Sequence, residues 1–86
     1  MVNILDIKNK LAGRVRMRRR EAKISQMELA GRSGVSLGSV KRFERMGEIS
    51  LTSLLRIAVV LGYESDFDEL FARTNYQSLD EILNAK

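Results

Sequence analysis

Two serines eleven residues apart, Ser25 and Ser36, flank a glycine at 34, and this trio constrains the chain more than any other feature. Ser25 precedes Gln26, Met27 and Glu28. In this S-x-x-E pattern the serine oxygen and the glutamate carboxylate each accept a hydrogen bond from an otherwise unpaired backbone N–H at a helix start. Gly34 lacks a Cβ and takes positive φ freely, which ends a helix abruptly, and Ser36 is placed to cap the next one. The spacing predicts a short helix, a tight corner and a further helix from about Leu37 to about Arg45. Leu29, Ala30, Val35, Val40 and Phe43 are the residues of this unit that can face one core, with Ala30 small where the two helices approach.

The rest of the chain repeats the helical signal. Ile4, Ile7, Leu11 and Val15 recur at three- and four-residue steps, with Asn3 as a cap and Asp6 in the first turn, and predict a first helix from about Ile4 to about Ala22. MVNILDI alone also has the composition of an edge strand. The charged end of that helix, RVRMRRREAK, is expected on the surface. Gly47 is a natural terminator for the third helix, and Ser50 caps LTSLLRIAVVL, whose Leu51, Leu54, Leu55, Ala58 and Leu61 form a broad apolar face ending at Gly62. Asp66 to about Ala72 offers Phe67, Leu70 and Phe71 as a fifth helix closing the core. Ser78 and Glu81 repeat the capping box before LDEILNA. The expectation is an all-α fold: a compact five-helix domain over 1–73, its helix-turn-helix at 25–45, and a short helical extension over 74–86.

Size and composition narrow the function. Eighty-six residues with 44% apolar content support one modest core. The chain has no cysteine and no histidine, so thiolate and imidazole metal sites and disulfides are excluded, and no cofactor is expected. No segment has the order of a secretory signal or the length of a membrane span, and a cytoplasmic protein is expected. An enzyme is not expected either: there is no Gly-rich phosphate loop, and the acids Asp66, Asp68 and Glu69 stand where a helix N-terminus favours negative charge. The net charge of +4 is unevenly spread. Residues 11–45 carry ten Lys or Arg against three acids, whereas residues 46–86 carry three against seven. A basic half of this kind is the footprint of a polyanion-binding surface, although it also occurs as a plain solvated face.

The stretch SQMELAGRSGVSLGSVKRFERMGEISLTSLLRIAVVLG resembles the phage-repressor and Cro-like helix-turn-helix proteins, the XRE family. The resemblance rests on Ser25 and Gln26 at a helix start, the pair Leu29 and Ala30, the Gly34–Ser36 turn, Val40 in mid-helix and Glu44 near the helix end. It covers roughly residues 11–71. It implies a five-helix domain whose third helix enters the major groove of double-stranded DNA, and a glutamine, here Gln26, that binds the DNA backbone. Proteins of this family often act as dimeric repressors. Some are antitoxins that bind both an operator and a toxin protein, which makes a toxin a further candidate partner.

The groove chemistry can be argued independently. An α-helix fits the major groove, where each base pair presents its own donors, acceptors and methyls. With Val40 and Phe43 turned inward, the outward positions of the third helix are Ser36, Leu37, Gly38, Ser39, Lys41 and Arg42. Ser36, Leu37, Gly38, Lys41 and Arg42 are therefore the candidate base contacts. Arg42 can bond guanine O6 and N7 together, discriminating by about 1–3 kcal/mol, or it can clamp a phosphate. Leu37 can pack on a thymine methyl. Gly38 either admits a close backbone approach or merely weakens an exposed helix. Gln26, Ser39, Arg45 and Arg14 are the candidate phosphate contacts, with the run Arg18–Arg20 flanking them. Glu44 is assigned a structural pairing with an arginine of the first helix or with a backbone N–H. Finally, Leu79, Ile82 and Leu83 form an apolar stripe for packing on the domain, on a second copy in a homodimer, or on another protein.

Overall fold

A computed structural model describes residues 2–74. Five helices follow one another: α1 (Ile4–Glu21), α2 (Gln26–Ser33), α3 (Leu37–Met46), α4 (Leu51–Leu61) and the single turn α5 (Asp66–Glu69). No strand occurs among the described residues, and Ile4 to Ile7 of that stretch open α1. The expected C-terminal helix, with Leu79, Ile82 and Leu83, lies outside the described residues.

Each of the first four helices starts where a side-chain oxygen answers a free N–H. Asn3 Oδ1 accepts from the Leu5 N–H at 2.8 Å. Ser25 Oγ accepts from the Glu28 N–H at 3.0 Å while Glu28 Oε1 accepts from the Ser25 N–H at 3.2 Å, closing the capping box. Ser36 and Ser50 cap α3 and α4 in the same way, each at 3.1 Å. Gly34, Gly47 and Gly62 end α2, α3 and α4 in the left-handed conformation. At Gly47 the absent side chain matters twice, because a Cβ there would lie 2.7 Å from the Lys8 Cβ and 2.9 Å from its carbonyl. That close approach lets the end of α3 lie against α1, where the Lys8 ammonium pairs with Glu48.

Two clusters form the core. Ile24, Leu29, Ala30, Val35, Val40 and Ile57 join the α2–α3 corner to α4. Ala12, Phe43 and Leu54 join α1 to α3 and α4, and the half-buried Val15 and Ile49 pack against both clusters. Phe43 and Val40, at 1% and 0% exposure, anchor the inner face of α3.

The molecule departs from expectation in four places. First, α5 stops at Glu69, and only Phe67 packs on the core; Leu70 is exposed and Phe71 is 96% exposed. The backbone leaves the helix at Leu70, whose ψ of 121° is extended, and Phe71 follows with a positive φ of 61°, so the helical course that would have carried both inward is broken. Second, the apolar stripe of α1 is buried only from Leu11 onward, because Ile4 and Ile7 extend past the core and remain exposed. Third, α4 turns Leu54, Ile57 and Ala58 inward and leaves Leu51 and Leu55 on the next face round. Fourth, the basic end of α1 is not wholly on the surface, since Arg19 is 8% exposed.

Candidate nucleic-acid interface

Arg19 is buried because α3 supplies its partner. Its Nε donates to Glu44 Oε2 at 2.7 Å and its Nη2 to Glu44 Oε1 at 2.9 Å, while Nη1 donates to the Ile24 carbonyl at 2.9 Å. This two-pronged pairing matches the planar guanidinium to the carboxylate. Gln26 completes it by donating from Nε2 to Glu44 Oε1 at 3.0 Å. The carboxylate thus ties together α1, the start of α2 and α3. Burial alone pushes the Glu44 pKa up; the hydrogen bonds from Arg19 and Gln26, with the charges of Arg19 and Arg16, outweigh it and hold the carboxyl below its ordinary value. The hydrogen bond to Glu44 likewise raises Arg19 against its desolvation. The expected pairing of Glu44 with an arginine of the first helix is the one observed.

Around this buried pair the surface is concave and cationic. Arg16 and Arg20 of α1, Ser25 and Gln26 at the start of α2, and Lys41 and Arg45 of α3 line it, with Arg19 and Glu44 forming its floor. Arg16, Arg20, Lys41 and Arg45 are exposed. Glu44 is the one acid in the lining, and its oxygens already accept from Arg19 and Gln26. The N-terminus of α2, with its unpaired N–H groups and partial positive charge, points the same way electrostatically. Such a concavity suits a phosphate.

The candidate residues fall into distinct places. Gln26, Lys41 and Arg45 meet in the concavity, joined by Arg20 from the run Arg18–Arg20. Arg14 does not line it, and Arg18 pairs with Glu21 at 3.2 Å. Gly38 and Arg42 are exposed on the outward side of α3, and a Cβ at Gly38 would meet nothing. Ser36 is exposed, but its hydroxyl caps α3 and also donates to Ser39 Oγ at 2.8 Å, so both serines bond to each other before any ligand. Leu37 requires a correction. It is half-buried against the core cluster of Val40 and Val35 rather than outward, because it stands three residues before Val40, on the same helical face.

Sequence reasoning did not nominate Arg16. Its signal was the spacing: Arg16 and Arg20 are four apart, and they bracket the arginine that Glu44 requires.

Comparison with known proteins bears on this geometry. A family model described as Helix-turn-helix, HTH_3, matches residues 15–67, a span from the middle of α1 to α5. No curated protein and no solved structure matches the chain.

Proposed function

From the premise that the chain belongs to the XRE-type helix-turn-helix family, a family of DNA-binding transcription regulators, we propose that it is a sequence-specific repressor. It binds double-stranded DNA with α3 in the major groove. The observation that carries the reading is the two-sidedness of α3. Val40 and Phe43 hold its inner face in the core, while Lys41, Arg42 and Arg45 stand exposed on its other side, next to a cationic concavity.

The residues divide by task. Arg42 and Lys41 reach base edges, with Arg42 aimed at guanine O6 and N7. Gly38 lets the first turn of α3 come close to the groove wall. Gln26, Arg16, Arg20 and Arg45 hold backbone phosphate in the concavity; they fix register and orientation without reading sequence. Glu44 holds the Gln26 amide toward the concavity floor and keeps the three helices in one arrangement. With Leu37 turned to the core, few side chains remain to read bases, so DNA shape and water-mediated contacts add to the discrimination.

One such helix covers few base pairs. The protein therefore acts as a homodimer on a pseudo-palindromic operator, with recognition helices about 34 Å apart. Selection of bound fragments from random duplex DNA tests the reading. Wild-type protein should enrich a two-fold-related sequence and bind it as two copies, and Arg42→Ala should lose preference at one base pair per half-site. Uniform weakening by Arg42→Ala would assign Arg42 to the backbone, and no enrichment by the wild type would overturn the reading.

A further inference from the structure

Four side chains along the concavity carry charge that no acid answers. Arg16 and Arg20 of α1 and Lys41 and Arg45 of α3 line it and are exposed, and none of them forms an ion pair among the described residues. Other cations of α1 are paired: Lys8 with Glu48, Arg18 with Glu21 and Arg19 with Glu44. Since Arg19 cancels Glu44, the one acid in the lining, the concavity faces solvent with the charge of all four cations.

These charges are closely grouped. Arg16 and Arg20 stand four residues apart, as do Lys41 and Arg45, which is about 6 Å along each helix. A strand of duplex DNA carries one charge per about 3.4 Å of its axis, so over that length the backbone answers about two of the four. Phosphates linked directly through bridging oxygens match the group better. A chain of three carries about three to four negative charges near neutrality, held closer together than phosphates spaced by sugars. Its oxygens suit the planar forks of the three arginines. The hollow is about 480 Å³, within the range of about 300–1,000 Å³ common for small-molecule sites. Its lining holds no aromatic ring and therefore no platform for a base, so the phosphates are what it can recognise.

We propose that the concavity binds a free, compact polyphosphate: three or more directly linked phosphates, inorganic or as the triphosphate of a nucleotide. Such a ligand and the DNA backbone use the same cations, so each excludes the other; this competition rests on the DNA reading above. By linkage, the ligand weakens operator binding by the factor by which the operator weakens ligand binding.

Calorimetric titration of the free full chain with inorganic tripolyphosphate, at constant ionic strength and without divalent metal, tests the site. One ligand per chain should bind, at least about tenfold more tightly than orthophosphate. Arg20→Ala and Lys41→Ala, one from each helix, should each melt like wild type and weaken binding at least about fivefold. Lys10→Ala removes an exposed charge of α1 outside the lining and should change it less than about twofold. Equal weakening by all three variants would mean a diffuse field rather than a site and overturns the proposal, as does binding no tighter than that of orthophosphate. Adenosine triphosphate separates the sources. Binding of both compounds assigns recognition to the shared phosphates, and binding of tripolyphosphate alone assigns it to the inorganic chain. Adenosine triphosphate bound at least about tenfold more tightly would require a base platform that the lining lacks, and also overturns the proposal. Saturating tripolyphosphate should weaken operator binding at least about tenfold at the same ionic strength, and an unchanged operator affinity overturns the competition. If wild type binds no duplex at all, the DNA reading fails, and titration of the free chain still decides the site.

Discussion

Glu44 illustrates how one residue joins the fold to the surface. Its carboxylate is 3% exposed and receives hydrogen bonds from Arg19 and Gln26. Removing it strands a buried guanidinium, and breaking such a pair from one side costs about 3–5 kcal/mol. Glu44→Gln should lower stability by that order in urea unfolding at pH 7. The pH dependence has a definite sign. A carboxyl held below its unfolded pKa of about 4.3 contributes stability above that pH and loses it as the pH falls through the folded value. The gap between wild type and Glu44→Gln should therefore be constant from pH 7 to about pH 5.5 and shrink below about pH 4.3. A gap that widens on acidification would contradict the pairing. The partner of Glu44 was legible in the sequence only as some arginine of the first helix. That it is Arg19, and buried, was not, because three consecutive arginines read as a solvated face until a carboxylate twenty-five residues on claims the middle one.

At the scale of the elements, the glycine within α3 and the glycine that ends it give opposite forecasts. Gly47 has φ +71° and no room for a Cβ against Lys8, so Gly47→Ala should destabilise the protein. The expected loss is about 1–3 kcal/mol, from strain and displacement of α1. Gly38 has open space and helical backbone, so Gly38→Ala should raise the unfolding free energy by about 0.5–1 kcal/mol. Because that methyl points toward the proposed groove contact, DNA affinity should fall as stability rises. Denaturant melts and duplex titrations of the same two proteins check both signs. The starts of α1 to α4 and the stops of α2 to α4 were legible because each is decided within a few residues, by a serine or asparagine oxygen, by a glycine, or by the reciprocal bonds of Ser25 and Glu28. Burial was less so. Periodicity marked Ile4, Ile7, Leu51 and Leu55 as apolar-face residues, but it carries no information on how far the neighbouring helix extends. Only tertiary packing decides that Ile57 faces inward while Leu55 does not. The same limit explains α5, where the DFDELFA pattern suggests two turns and the backbone leaves the helix after one.

For the whole molecule, the basic half and the acidic half resolve into a surface. The arginines and the single lysine, Lys41, that converge on the concavity come from α1 and α3, held in place by the corner that Ser25, Gly34 and Ser36 dictate. If Arg16, Arg20, Lys41 and Arg45 of each copy neutralise phosphates, operator affinity should fall steeply with salt. The slope of log affinity against log salt is about −0.9 per phosphate neutralised. Arg20→Ala should reduce that slope by about one for each copy bound without changing which sequence is preferred. A flat salt response would mean that the concavity does not meet the DNA backbone. The central claim is that α3 enters the major groove, and methylation interference tests it most directly, because guanine N7 lies in that groove and adenine N3 in the minor groove. The account predicts that N7 methylation within each half-site blocks binding and that Arg42→Ala abolishes the effect at one guanine. Interference confined to adenine N3, with N7 methylation tolerated throughout, would contradict it.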